Sequence, residues 1–506
     1  MMVVILVTFA AILFFYFRYF LNSKYKHFGS PGPCLPLIGH SYVMMTKEAK
    51  KDPAQRIWSL YKKHQKHGML YFKSIGMNQL LIGDFETIKY IFNHSDGNGR
   101  INDQISRFTK ITRKVQKCKD FPGLIMSEGE TWKQQRRFSL RTLRDFGFGK
   151  QGLEELIMDE VKMFKHLLDT EVGKPIDIAT KLNLPILNAL WKVTVGERFD
   201  YDDPRLLDIC QRLTETFKVF VGTKFALNSY PWMRRLFSKW LSTDFILQSL
   251  HDVIDLMKEN ILKHQQTLDV NSPRDYTDMV LKEIENTTDE SSSFHGSVGL
   301  DNLKVALFDL FLAGSETTST TLTWASLYMV RYPEVQERVQ QELARVVGED
   351  RSPAMEDRPR LPYTEAVIME VQRHANIVPL GLRHRITRDM VVSGQLVPAG
   401  TMVMPLMAEI LKGDYWGDGE VFRPERFLDE AGQLRKEERF IPFSTGKRAC
   451  LGEALARAEL FLFLSSLLQH FTLLPAVPGQ LPTEEAVMGV TSLPKPFEVR
   501  LTKRVA

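Results

Sequence analysis

At 506 residues with 44% hydrophobic content, the chain has material for a large core. Its formal charge of +5, from 66 basic and 61 acidic residues, is too balanced to point to nucleic acid. Four well-separated cysteines, Cys34, Cys118, Cys210 and Cys450, argue against a disulfide framework and a four-cysteine zinc site, so the body is expected in a reducing compartment. Residues 1–17 carry no charge, and Tyr19, Phe20 and Leu21 extend this apolar run to about the 20 residues a bilayer requires. A cleaved signal peptide would begin with basic residues and end on small ones. Here the start has neither Lys nor Arg, and Phe14, Phe15, Tyr16 and Phe17 close the run. Arg18, Lys24 and Lys26 lie on its C-terminal side. Residues 1–21 are therefore expected to form a transmembrane anchor that leaves the body cytoplasmic. Residues 22–40 read as a basic, Pro-rich linker stiffened by Pro31, Pro33 and Pro36.

Residues 41–506 read as one large domain, because no internal linker or repeat divides them. Two short strands are expected near Met69–Ser74 and Gln79–Ile82. Amphipathic helical patterns cover roughly 152–170, 205–220, 244–266 and 334–347. The stretch from Asp301 to Arg331 is long and strongly apolar, and Pro333 both ends it and suits the start of the next helix. Thr287 to Ser297 is polar and Ser-rich, and reads as a surface loop. Beyond about residue 375, short strands and loops take over until a final helix from Gly452 to about Phe471. The fold class expected is mainly α with a minor β part. There is no GxGxxG after a strand, no Walker A sequence and no HExxH, so any electrons must arrive from elsewhere.

The run Phe443-Ser444-Thr445-Gly446-Lys447-Arg448-Ala449-Cys450-Leu451-Gly452 precedes that final helix. A cysteine at a helix N-terminus meets unpaired N–H groups and a partial positive charge, which favour thiolate. Gly446 permits a tight turn, Gly452 a close backbone approach, and Phe443 could shield the sulfur from water. This FxxGxRxCxG pattern resembles the signature of the cytochrome P-450 family. The resemblance implies that Cys450 is the proximal ligand of haem b (iron protoporphyrin IX), in a single cytochrome P-450-like domain behind an N-terminal anchor helix. A thiolate ligand pushes electron density onto iron and favours O–O cleavage.

Three further segments match in the expected order. Ala313-Gly314-Ser315-Glu316-Thr317-Thr318 interrupts the apolar helix with a glycine, an acid and hydroxyls. It resembles the oxygen-activation motif, which implies that Gly314 opens a groove for dioxygen, Thr317 hydrogen-bonds the activated oxygen, and Glu316 relays protons with water. Glu370 and Arg373 share a helix face, and Phe422-Arg423-Pro424-Glu425-Arg426-Phe427 follows. The family's match is a buried Glu370–Arg373–Arg426 triad that supports the fold. Trp132 and Arg136, one helical turn apart, match the family's WxxxR. Together with His384 and Arg448 they are implied to contact the haem propionates.

Segments such as Arg136–Gly149 and Leu361–Arg373 look especially like animal microsomal members of the family-2 type. The resemblance then implies insertion of one oxygen atom from O2 into a lipophilic substrate, by hydroxylation or epoxidation. NADPH-cytochrome P-450 reductase would supply the electrons, with cytochrome b5 as a second candidate donor, at the endoplasmic reticulum membrane. The exposed basic run Lys133, Arg136, Arg137, Arg141 and Arg144 would suit an acidic partner. Substrate-contacting positions map onto Phe308, Ala313, Ile377, Val378, Leu382 and Val490. Between about Ile101 and Lys119 the chain is rich in Lys and Arg and departs from the family pattern, which leaves the substrate open.

Overall fold

The computed structural model describes Phe9, Ala11 and residues 24–35, 38–75, 77–100, 103–115, 120–146, 151–219 and 227–504. The expected anchor, residues 1–21, lies outside them apart from Phe9 and Ala11. No helix among the described residues is long and apolar enough to cross a membrane.

Helices predominate. In chain order they are α1 (Lys47–Lys51), α2 (Pro53–His64), α3 (Phe85–Asn93), α4 (Asp103–Thr112), α5 (Gly129–Asp145), α6 (Gln151–Asp169), α7 (Ile178–Val195) and α8 (Pro204–Val219). There follow α9 (Pro231–Leu241), α10 (Thr243–Thr267), α11 (Tyr276–Asn286), α12 (Gly296–Arg331), α13 (Pro333–Val346), α14 (Pro362–Ala375), α15 (Met407–Lys412) and α16 (Glu453–His470). The long expected helices are all present. The loop expected up to Ser297 is slightly shorter, because α12 begins at Gly296. Tyr332 caps α12, and Pro333 opens α13 at a position where its missing N–H costs nothing. α7 carries no turn of one-sided polarity and contains Pro185, so periodicity does not announce it; nearly all of it is buried.

The minor β part is split. β1 (Met69–Ser74) and β2 (Met77–Ile82) form an antiparallel hairpin. β7 (Met402–Pro405) joins β2 in parallel, and β4 (His384–Arg385) closes the edge against β7 with His384 opposite Val403. β3 (Pro175–Ile176), β11 (Val499–Lys503) and β8 (Phe471–Pro475) make a second sheet, in the order β3-β11-β8. β5 (Met390–Val392) pairs with β6 (Gln395–Val397), and β9 (Ala486–Met488) with β10 (Ser492–Pro494).

The main core surrounds α12, where Leu303, Leu307, Phe308, Phe311 and Leu327 are buried among residues of α6, α7 and α16. A helix apolar all round belongs in such a position. The linker is not a free strap: Phe28 is buried, Tyr25 stacks on Tyr71 at 4.5 Å, and the Tyr71 N–H donates to Gly29 O (2.8 Å). Cys34 is buried and Cys210 is half-buried with its thiol pushed up to about 12 by desolvation, which suits the structural role expected for these two.

Candidate haem site

The turn Gly446–Arg448 shapes the loop before Cys450. Gly446 has φ +78°, and a Cβ there would lie 2.4 Å from the backbone oxygen of Phe92, so no side chain is tolerated. The Cys450 N–H donates to Phe443 O (3.0 Å), closing the loop, and the Phe443 ring packs 4.8 Å from the Arg457 guanidinium. Cys450 keeps accessible surface although protein encloses it on nearly every side; it therefore lines an interior space and not the outer skin. The expectation of a lowered thiol pKa is corrected. α16 starts only at Glu453, and burial pushes the thiol up, with the Gly452 amide and Arg136 opposing. The helix end alone does not ionise this sulfur. A metal ion bound to it would, because a coordinating thiol is deprotonated outright.

Around Cys450 the loop meets a cluster of buried cations. Arg136 on α5 donates from Nη2 to Ala449 O (2.6 Å). Arg448 stacks 3.9 Å over the Trp132 ring and donates to Asn98 O (3.0 Å) and Ser127 O (2.6 Å). Arg100 donates from Nη1 to Arg383 O (2.7 Å). β4 sets His384 beside them: its ring stacks on Phe92 at 3.7 Å, and Nδ1 bonds to Gly97 O (2.8 Å). Burial and mutual repulsion push the pKa values of Arg100 and Arg448 down, and that of His384 well down. Glu128 opposes this, but its carboxylate is already paired with Arg385. Among the described residues, Trp132 Nε1 and Arg100 Nε are buried without a hydrogen-bond partner. Surplus positive charge and orphaned donors call for buried anionic oxygens. A thiol beside a binding place for two carboxylates fits haem b.

Arg100 was not singled out from sequence. It stands alone after a Gly-Asn-Gly turn, and only the fold brings it to the other cations. Two bases of the stretch between Ile101 and Lys119 are paired, Arg113 with a buried acid and Lys114 with a half-exposed one. Arg113 Nη2 reaches Asp309 Oδ1 on α12 (3.1 Å), and Lys114 Nζ reaches Asp255 (2.8 Å).

On α12 the buried surface is broken at one turn, where Ala313 is exposed and Gly314 and Thr317 are partly so. The Thr317 hydroxyl donates back to Ala313 O (3.0 Å), which places a polar group at the break. Gly314 has a packing reason: a Cβ there would come within 2.3 Å of Leu190 Cδ2 on α7. Glu316 is buried and points elsewhere. Its Oε2 accepts from Thr491 (2.9 Å), with Thr214 close by, and burial pushes its carboxyl up to about 7. Of the expected substrate contacts, Ile377, Val378, Leu382 and Val490 keep accessible surface. Phe308 has none; it lies behind the wall, under the Arg113 guanidinium at 4.9 Å.

The triad is assembled and buried. Arg373 Nε and Nη2 donate to Glu370 at 2.7 and 2.8 Å, and Arg426 Nε donates to Glu370 Oε1 at 3.1 Å. Asp418, not foreseen, accepts from Arg426 Nη1 (2.8 Å).

Comparison with known proteins gives the family. The chain matches the Cytochrome P450 family over residues 30–501. Mouse Cytochrome P450 2J5 is 35% identical over 98% of this chain and 95% of its own length. Cytochrome P450 2C20 of Macaca fascicularis is 36% identical, covering 93% of both chains. Human Cytochrome P450 2J2 is 36% identical over 94% of this chain and 91% of its own. With the cysteine loop, the cation cluster and the matches taken together, the chain belongs to the cytochrome P450 family, as a monooxygenase that binds haem b.

Proposed function

We propose that this monooxygenase takes electrons from NADPH through a flavoprotein reductase and inserts one atom of O2 into a lipophilic small molecule, by hydroxylation or epoxidation. The carrying observation is a cysteine on an interior wall beside a buried cation cluster. In this reading Cys450 ligates the iron, and haem supplies the oxidising chemistry when bound. Trp132, Arg136, His384, Arg448 and Arg100 hold its carboxylates. Thr317 presents its hydroxyl where α12 opens, to orient a proton beside the reacting oxygen, and Ala313 leaves room for substrate. Glu316, raised to about 7 and so able to gain or lose a proton near neutrality, is one residue along the chain. The apolar set Ile377, Val378, Leu382 and Val490 favours a lipophilic substrate.

A reductase would dock on α5. Lys133, Arg137, Arg141 and Arg144 are exposed there, while Arg136 is committed inward to the Ala449 carbonyl. Cytochrome b5 would share that face. Attachment to the endoplasmic reticulum membrane rests on the apolar residues 1–21 and on a second feature, α9. Trp232, Leu236, Phe237 and Trp240 are exposed on α9, interleaved with Arg234, Arg235 and Lys239, which suits a lipid interface. The body would then face the cytoplasm.

Reconstitution with NADPH, reductase and a lipophilic substrate panel tests the reading. Product should require both NADPH and reductase. Thr317→Ala should keep NADPH consumption but lower product per NADPH by about a hundredfold, the low end of what a positioned proton-transfer group contributes. Turnover without NADPH would overturn the proposal.

A further inference from the structure

A second buried acid lies where the mechanism above does not use it. Glu459 is on α16, nine residues after Cys450, and is only 2% exposed. No cation pairs with it among the described residues, and its Oε1 has no hydrogen-bond partner. The Thr318 hydroxyl on α12, next to Thr317, lies against its carboxyl. α12 and α16 pack directly on each other. An ionised carboxylate left with an orphaned oxygen in such a place would be far costlier than a neutral acid, whose bare carbonyl oxygen tolerates isolation better. Burial accordingly pushes the Glu459 carboxyl up to about 8. A neutral acid there has a proton to share with Thr318 Oγ1, which would tie the side chain of one helix to the turn of the other.

We propose that Glu459 is a positioning residue: an uncharged carboxylic acid that, through Thr318, holds the α12 turn bearing Thr317 in register with the helix that follows Cys450. Ligand events at the iron and the placement of the Thr317 hydroxyl are then mechanically linked. This rests on the haem reading of Cys450, but not on any particular reductase or substrate.

The test uses the full-length haem protein as wild type, Glu459→Gln and Glu459→Leu. Infrared difference spectra are recorded on photolysis of the reduced carbon monoxide complex, which needs neither reductase nor substrate. Wild type should show a protonated-carboxyl carbonyl band that shifts when carbon monoxide leaves. The band should be missing in Glu459→Gln, persist in a Glu316→Gln control, and fade as pH rises through about 8. In reconstituted turnover Glu459→Leu should raise the share of NADPH electrons lost as peroxide severalfold, and Glu459→Gln should recover most of the coupling. A carboxyl band unmoved by photolysis, or still present in Glu459→Gln, overturns the proposal. A shifting band in a protein inactive with reductase would fault the electron-donor reading and leave this one standing.

Discussion

At the scale of single residues, the site is built from groups held against their solution preferences. The Cys450 thiol is pushed up by burial, and the neighbouring cations are pushed down. One anionic, metal-bearing partner would relieve both strains. Arg100 gives a sharp check, since its Nε has no partner. Arg100→Ala removes a charge-assisted contact worth about 1.5–3 kcal/mol, so haem transfer to an excess of apomyoglobin should speed up by roughly ten- to a hundredfold. Glu316 gives a second. Its carboxyl is raised to about 7 in the folded protein from 4.5, so the acid form is the one folding favours. Its contribution to stability is complete below pH 4.5 and is lost as pH rises through about 7. Urea unfolding midpoints should therefore decline across that window in wild type, and more shallowly in Glu316→Gln.

At the scale of elements, what was legible depended on how locally each was encoded. The cysteine loop and the α12 turn are contiguous, and their residues announced them. Amphipathic helices such as α6 and α13 showed their period in full. α7 did not, because a helix buried on every side has no polar face to set a period, and its packing on α12, Leu190 against Gly314 and Trp191 against Phe311, emerges only in the fold. Arg100 was missed for a related reason, since its partner Arg383 is 283 residues away, whereas Asp418 lies eight residues before Arg426 and just outside the Phe422–Phe427 segment. Phe308 was placed one layer too far inward, because a helix pattern does not say which apolar side chain faces a chamber and which faces core. The Glu370–Arg373–Arg426 network belongs to this scale, since it ties α14 to the segment Trp416–Phe427. Glu370→Ala strands two buried guanidinium groups and should cost about 3–5 kcal/mol. The expected readout is loss of most soluble, haem-loaded protein, with Glu370→Asp less severe.

At the scale of the whole molecule, two unlike surfaces follow from one fold. The α5 face is basic, exposed and next to the cysteine loop, while the α9 face is aromatic and exposed. Charge and hydropathy in the chain hint at both, but only the fold shows that Arg136 leaves the basic face and turns inward. The family and its chemistry were legible because four motifs occur in order along the chain, and α12, which carries Thr317, packs directly on the helix that follows the Cys450 loop. The substrate was not, because it is selected by a chamber assembled from distant segments. The central claim is thiolate ligation of haem iron by Cys450, and the absorption spectrum of the reduced, carbon monoxide-bound protein tests it most directly. A strongly red-shifted Soret band is expected in wild type and should vanish in Cys450→Ala, whereas an unshifted band in wild type would contradict the account.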